Sequence, residues 1–324
     1  MASQTDQAPA NFQARFERKW AHLTLPHVRA LAWLLDAPDL LDPASPLWGG
    51  HIAALGPATP ALADWLAALQ RDPAALDAAL GPRFYSRLGL YAEKLMAFYF
   101  AQHGALVAHG LQVRASRNDT VGEFDFLLRR GGQLLHLEFA TKFYLLEAGG
   151  DRLHGLIGPN LADTLGAKMN KILTRQLALA AHPAARDLLP GVVDSAQALV
   201  KGWLFHPLAG AGTALDGIAP DHNRGFWCML AQLTDGDGGQ ADAQFVLMPR
   251  LQWLAPLKVA AGVCVLSRGA LADLLTRQFD GAPVLVARVR QADGWVIEQE
   301  RGFIVPDDWR QQAAERRRDG RLPS

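Results

Sequence analysis

The stretch GEFDFLLRRGGQLLHLEFATKFYL, Gly122 to Leu145, alternates in character with a period of two on both sides of Gly131-Gly132. Period-two alternation marks β-strands, and a glycine pair supplies the positive φ angles that a two-residue hairpin turn requires. The spacing predicts antiparallel strands over Glu123–Arg130 and Gln133–Leu145. In the first, Phe124, Phe126 and Leu128 share one face, while Glu123 and Asp125 share the other. In the second, Leu135, Leu137, Phe139, Thr141 and Phe143 oppose His136, Glu138, Ala140, Lys142 and Tyr144. Across a tight hairpin Asp125 and Glu138 come close. Adjacent carboxylates repel, and burial raises their pKa unless a cation lies between them. An oxygen-preferring divalent ion such as Mg²⁺ or Mn²⁺ resolves that conflict. A lysine on the same face adds a charge able to position water or stabilise a developing phosphorane. The alternation equally describes a solvated sheet face with cross-strand salt bridges, and the pattern leaves both open.

Upstream, RFYSRLGLYAEKLMAFYFAQ (from Arg83 to about Gly104) predicts a helix that is apolar almost all round, which marks it as buried. Leu111 to Ala115 reads as a strand and Arg117 to Thr120 as the following turn. Downstream, a glycine-rich loop (Gly149 to Pro159) leads to Asn160, which with Asp163 forms an N-cap signature for a helix reaching about Ala181. A strand follows from Ala198 to Pro207. The first 80 residues read as helices, at Ala30 to Leu35, Pro60 to Gln70 and Ala74 to Leu80. Between the first two lies a loop rich in proline (Pro43, Pro46, Pro57 and Pro60) with at most a short helix. From about Gly210, strands are expected at Phe226–Leu233, Gln244–Met248, Pro283–Arg290 and Trp295–Arg301, with a helix at Leu271–Phe279. The tail from Arg316 to Arg321 is polar and is expected to be mobile.

The 324 residues carry 32 Lys+Arg against 32 Asp+Glu, and half are hydrophobic. This is the composition of a soluble globular protein. A net charge of zero excludes nucleic-acid binding by bulk charge, so a polyanion would need a local basic stripe. Cys228 and Cys264 are too few for a disulfide scaffold, and their apolar surroundings predict buried free thiols. No basic-then-apolar leader opens the chain and no apolar run is long enough to span a bilayer, which predicts a cytoplasmic protein.

A carboxylate in the second strand, a glutamate with a following lysine in the third, and flanking helices in αβββαβ order together resemble the PD-(D/E)XK nuclease superfamily. Taken together, RLGLYAEKLMAFYF, GEFDFLL, HLEFATKFYLL, LIGPNLADTLGAKMNKILTRQLALA and WLFHPL resemble an uncharacterised bacterial family, domain of unknown function 1853, over roughly Leu25 to Val305. The likeness implies an α/β protein with a restriction-endonuclease-like core and a mixed sheet. Residues 1–80 would form a helical N-terminal region, residues 81–209 the core and residues 210–324 a C-terminal α/β extension. It implies metal-dependent hydrolysis of nucleic-acid phosphodiesters. Asp125 and Glu138 would hold Mg²⁺ or Mn²⁺, Glu93 on the first core helix would complete the metal site, and Lys142 would be the catalytic lysine. Glu93 lies on an otherwise apolar flank among Leu90, Ala97 and Phe100, where it would either face the site or pair with Arg87 or Arg114. The superfamily pattern places the lysine two residues after the glutamate, where this chain has Ala140. Lys142 keeps the same face but lies about 6–7 Å further along the strand.

Lys168, Lys171 and Arg175 fall on one face of the following helix, where they would either track the phosphate backbone of a nucleic acid, DNA in the first instance, or remain solvated. Gln176 falls in the apolar row beside them. The alternative to an enzyme is an inactive nuclease fold that binds nucleic acid or a protein partner, which the lysine spacing favours. A third is a pure interaction protein, favoured by neutrality and by the aromatic C-terminal part. His136 is expected to be an exposed strand histidine, and Trp203, Trp227 and Trp253 to be core or interface residues. Asp235-Gly-Asp237-Gly-Gly239 begins like a calcium loop, but Gln240 and Val246 occupy its sixth and twelfth positions, so no EF-hand forms.

Overall fold

The computed structural model describes residues 11–82, 85, 87–117, 119–147, 153–208, 214–234, 242–278 and 281–318. Gly131 and Gly132 adopt φ of +57° and +85°, the conformation of a type I′ turn, and Arg130 pairs with Gln133 across it. This hairpin joins β2 (Asp119–Arg130) to β3 (Gln133–Leu146), and β1 (Leu106–Ser116) lies antiparallel on the far side of β2. Four helices precede them: α1 (Phe12–Trp20), α2 (Pro26–Asp36), α3 (Pro60–Arg71) and α4 (Ala74–Leu80). The long apolar helix is α5 (Leu88–Gln102). After β3 come the short β4 (Leu156–Ile157), α6 (Leu165–Lys171) and β5 (Ser195–Pro207). The chain continues with β6 (Asn223–Met229), α7 (Leu230–Thr234), β7 (Gln244–Leu247), β8 (Lys258–Ala260) and β9 (Leu266–Ser267). It ends with α8 (Arg268–Gln278), β10 (Val284–Ala292), β11 (Trp295–Val305) and α9 (Trp309–Arg318).

One mixed sheet runs in the order β1-β2-β3-β5-β6-β11-β10-β7-β9. β3, β5, β6 and β11 are mutually parallel, and antiparallel strands complete both ends. The order α5-β1-β2-β3-α6-β5 puts β3 in the interior of the sheet, which accounts for burial on both its faces. One face is covered by α1, α2 and α5. There Leu95, Met96 and Phe100 meet Phe126, Leu128 and Leu137, and Trp33 stacks on Trp203 with planes 4° apart. The other face carries α6 through Leu165, Met169 and Ile172 against Ala140, Tyr144 and Val200. The C-terminal segment is tied to the same core by Arg301. Its buried guanidinium pairs with Glu298 at 2.7 Å and lies 4.0 Å over the Trp203 ring.

Parallel β3 and β5 approach closely where Lys142 pairs with Gly202. A Cβ on Gly202 would overlap the Lys142 carbonyl and sit 3.3 Å from Leu40. Backbone cannot yield as a side chain can, so Gly202→Ala is expected to cost at least about 3 kcal/mol. A urea titration of wild type and variant checks this.

Several expectations are corrected. Phe124 does not share a face with Phe126 and Leu128. It packs with Leu127 and Leu179 on the opposite side, because the alternation of β2 breaks at Asp125. The helix after the loop is capped by Thr164, whose hydroxyl accepts from Ala167 N, and not by Asn160; Asp163 is held elsewhere. That helix also stops early, since Ile172–Gln176 form a turn of π-helix. The strand expected over Phe226–Leu233 turns into α7 after Met229. Cys228 is buried, but Cys264 is exposed between β8 and β9. Residues 235–240 of the calcium-like loop and residues 319–321 of the tail lie outside the described residues. Among the described residues no helix is long and apolar enough to cross a membrane.

Candidate functional site

The β2–β3 ladder runs from Arg130↔Gln133 only as far as Phe126↔Leu137. Beyond that point β2 stays with β1, and β3 continues beside β5. The notch between them is closed by a side chain, because Phe139 N donates to Asp125 Oδ2 at 2.9 Å in place of a ladder bond. The break in the hairpin therefore aims the Asp125 carboxylate toward β3, on the side where α6 packs.

Glu138 lies in β3, 1% exposed, with both oxygens engaged. His136 Nε2 donates to Oε1 at 2.8 Å, and the Gln176 amide donates to Oε2. Among the described residues the buried His136 Nδ1 has no partner, so Nε2 carries the hydrogen bonding of the ring. The expected exposed histidine is thus a buried one, 1% exposed, with the Phe124 ring edge-on to it at 4.7 Å.

Burial, and then the charge of Glu138, pushes Asp125 up to about 8, with Glu93 adding to the rise. The Phe139 N–H and the Lys168 ammonium oppose it. Asp125 therefore holds its proton in the fold to about pH 8, but in the unfolded chain only to about pH 4. Between those values the folded state binds more protons, so stability falls as pH rises from about 4 to about 8. Asp125→Asn keeps an acceptor for Phe139 N–H and removes the charge. It is expected to raise Tm at pH 8.5 by about 3–5 °C and to flatten the pH dependence, as read by thermal melts across that range without divalent metal.

Lys168 acts through its charge on both carboxylates. It is half-buried, and its pKa is lowered by burial and by Lys142, while Asp125 and Glu138 act to raise it. Its Nζ donates to Gln176 Oε1 at 3.2 Å, so Lys168, Gln176 and Glu138 form one chain of hydrogen bonds. In a regular helix residues 168 and 176 would diverge by about 80°. The π turn, closed by Leu177 N on Ile172 O at 3.0 Å, removes that offset and brings Gln176 under the strand. Lys171 and Arg175 remain exposed on the outer side of the helix.

Lys142 takes another course. Its Nζ pairs with Asp163 Oδ2 at 2.6 Å, and the Tyr144 hydroxyl donates to the same oxygen at 3.2 Å. Glu93 faces the site from α5, where His109 Nε2 donates to its Oε1 at 2.6 Å. Neither Arg87 nor Arg114 is that partner. Among the described residues, no group of three or more His, Cys, Asp or Glu side chains is gathered as a metal cluster. Asp125 and Glu138 are thus brought together, with Glu93 at the margin and Lys142 directed away.

The sequence pattern puts Lys168 on a stripe that is either phosphate-tracking or solvated, and gives no sign of its link through Gln176 to Glu138. It also missed His109. The only available signal for the first was Gln176, a polar residue in an apolar row. His109 gave none, because its contact with Glu93 joins α5 to β1.

Residues 29–305 match the family described as Domain of unknown function (DUF1853), the one that the sequence segments resembled. No curated protein and no solved structure matches the chain.

Proposed function

We propose that this chain, which belongs to the DUF1853 family, is a metal-dependent nuclease with a restriction-endonuclease-like core formed by α5, β1–β3, α6 and β5. The observation that carries the proposal is the pair of carboxylates, Asp125 and Glu138, at the notch where β2 parts from β3. The rise in Asp125 supports it, since two oxygen donors short of a cation fit Mg²⁺ or Mn²⁺. Asp125 and Glu138 would hold the ion, with Glu93 behind them and water completing the shell. A bound ion would supply Lewis-acid activation of water and of the phosphoryl oxygens.

The chain's own residues do the rest. Gln176 fixes the Glu138 carboxylate, and His136 locks its other oxygen. Lys168, with burial lowering its pKa, presents an ammonium beside the carboxylates and would orient the attacking water or steady the charge growing on phosphorus. It takes the role that the resemblance gives to Lys142. Exposed Lys171 and Arg175 would contact the phosphate backbone of DNA outside the reacting centre.

The second reading is a nuclease fold that binds without cutting. It is favoured by two observations: both Glu138 oxygens are taken within the protein, and Lys142 is committed to Asp163. Incubating the protein with plasmid and linear DNA in Mg²⁺ or Mn²⁺, beside the Asp125→Ala/Glu138→Ala variant, separates the two. Cleavage that needs metal and vanishes in the variant is the expected result. Binding without cleavage selects the second reading, and absence of both rejects each.

A further inference from the structure

Beyond the carboxylates, β3 runs toward a cavity of about 450 Å³ whose wall includes Arg87, Thr141, Lys142, Asp163, Arg250 and Trp253. Lys142 lies four residues past Glu138, about 13 Å along the strand. Among the described residues, Arg87 and Arg250 have no ion-pair partner, and both are exposed. The Arg250 guanidinium is set over the Trp253 ring, 5.5 Å from its centroid. Trp253 is itself fixed, with its indole N–H donating to Met248 O at 2.9 Å and its ring edge-on to Phe143 and Phe303. The Thr141 hydroxyl in the same wall is buried and has no partner among the described residues. The first turn of α5 opens here without a side-chain cap, which adds N–H donors to an already cationic cavity.

We propose that this cavity binds the phosphate monoester of a nucleotide, either free or at the end of a polynucleotide strand. Three cations against one carboxylate leave an excess of two positive charges, which matches a phosphate monoester, a dianion near neutral pH. Two guanidinium forks with no ion pair among the described residues suit its paired oxygens better than they suit a single carboxylate. The cavity is larger than phosphate alone needs, and the Trp253 and Phe143 walls offer an apolar surface to a sugar or base. Lys142, which contributes only one N–H to Asp163, keeps donors for the ligand. The site is separate from the carboxylates and does not depend on hydrolysis.

The test is calorimetric titration of the full chain in EDTA with adenosine 5′-monophosphate, adenosine and inorganic phosphate. The monophosphate is expected to bind, adenosine not to bind, and phosphate to bind more weakly than the monophosphate. Arg250→Gln and Arg87→Gln, both at exposed positions, should each weaken the monophosphate at least tenfold, and Asp125→Ala should leave it unchanged. A 5′-phosphorylated oligonucleotide binding better than its 5′-hydroxyl twin identifies a strand end as the source; equal binding of the two identifies a free nucleotide. Adenosine binding as well as its monophosphate, no binding of either, or arginine variants with unaltered affinity overturn the proposal. A protein that binds the monophosphate but never cuts DNA would leave this site standing and remove the nuclease reading; the reverse pattern would do the opposite.

Discussion

Lys168→Met is expected to lower metal-dependent DNA cleavage by about 10²- to 10³-fold, the usual cost of removing one charged group aimed at a transition state. Lys142→Met should cost less than about tenfold. The contrast follows from placement. The Lys168 ammonium is linked through Gln176 to Glu138 and is felt by Asp125, whereas Lys142 is drawn off by Asp163. Methionine preserves the length of the buried stem and deletes only the charge. Initial rates on linear DNA at saturating Mg²⁺ decide the matter. Equal losses in the two variants, or the larger loss at Lys142, would show that the lysine of β3 is the working one.

Glu138 should show the largest effect. Glu138→Ala and Glu138→Gln are both expected to reduce cleavage at least about 10³-fold, because each removes a charged metal donor worth several kcal/mol in the transition state. Stability separates them. In the alanine variant the His136 N–H and the Gln176 amide lose their shared acceptor in a buried site, at about 1–3 kcal/mol each. The glutamine variant keeps the volume and one acceptor and removes a buried charge, so its Tm should stay within about 3 °C of wild type. Melting curves recorded beside the activity assay distinguish a lost ligand from a lost fold. A fully active Glu138→Gln enzyme would exclude a metal-holding role for this carboxylate.

Local rules carried much of the fold. Gly131-Gly132 specified the hairpin, the alternation of β3 specified its two faces, and the all-round apolar pattern of α5 specified its burial. The same rules failed where one residue breaks the period. The face of Phe124 was not legible, because the change at Asp125 depends on where β2 leaves β3, and that parting is set by the competing β1 and β5 ladders. The π turn at Ile172–Gln176 was hidden for a related reason. Its sequence has ordinary helical spacing, and the extra residue per turn is stabilised by a buried contact to Glu138. Asp125 and Glu138 were legible as a pair because cross-strand neighbours follow from the hairpin alone. The positions of the two lysines were not legible, because spacing cannot tell that Lys142 pairs with Asp163 while Lys168 on the helix bonds Gln176 beneath the strand. Neutral net charge proved a poor guide to local fields. Acidic groups gather at the notch, and Arg87, Lys142 and Arg250 gather around one cavity.

On the proposed function, Asp125 and Glu138 would share one divalent cation. Calorimetric titration of the full chain with Mn²⁺ at pH 7.5, repeated in buffers of different ionisation enthalpy, tests it most directly. A site with Asp125 at about 8 is mostly protonated there, so ion binding should displace most of one proton. One ion per chain, with proton release that disappears above about pH 9 and binding abolished in Asp125→Ala/Glu138→Ala, is the predicted result. Absence of Mn²⁺ binding, or binding that survives in the double variant, would contradict it.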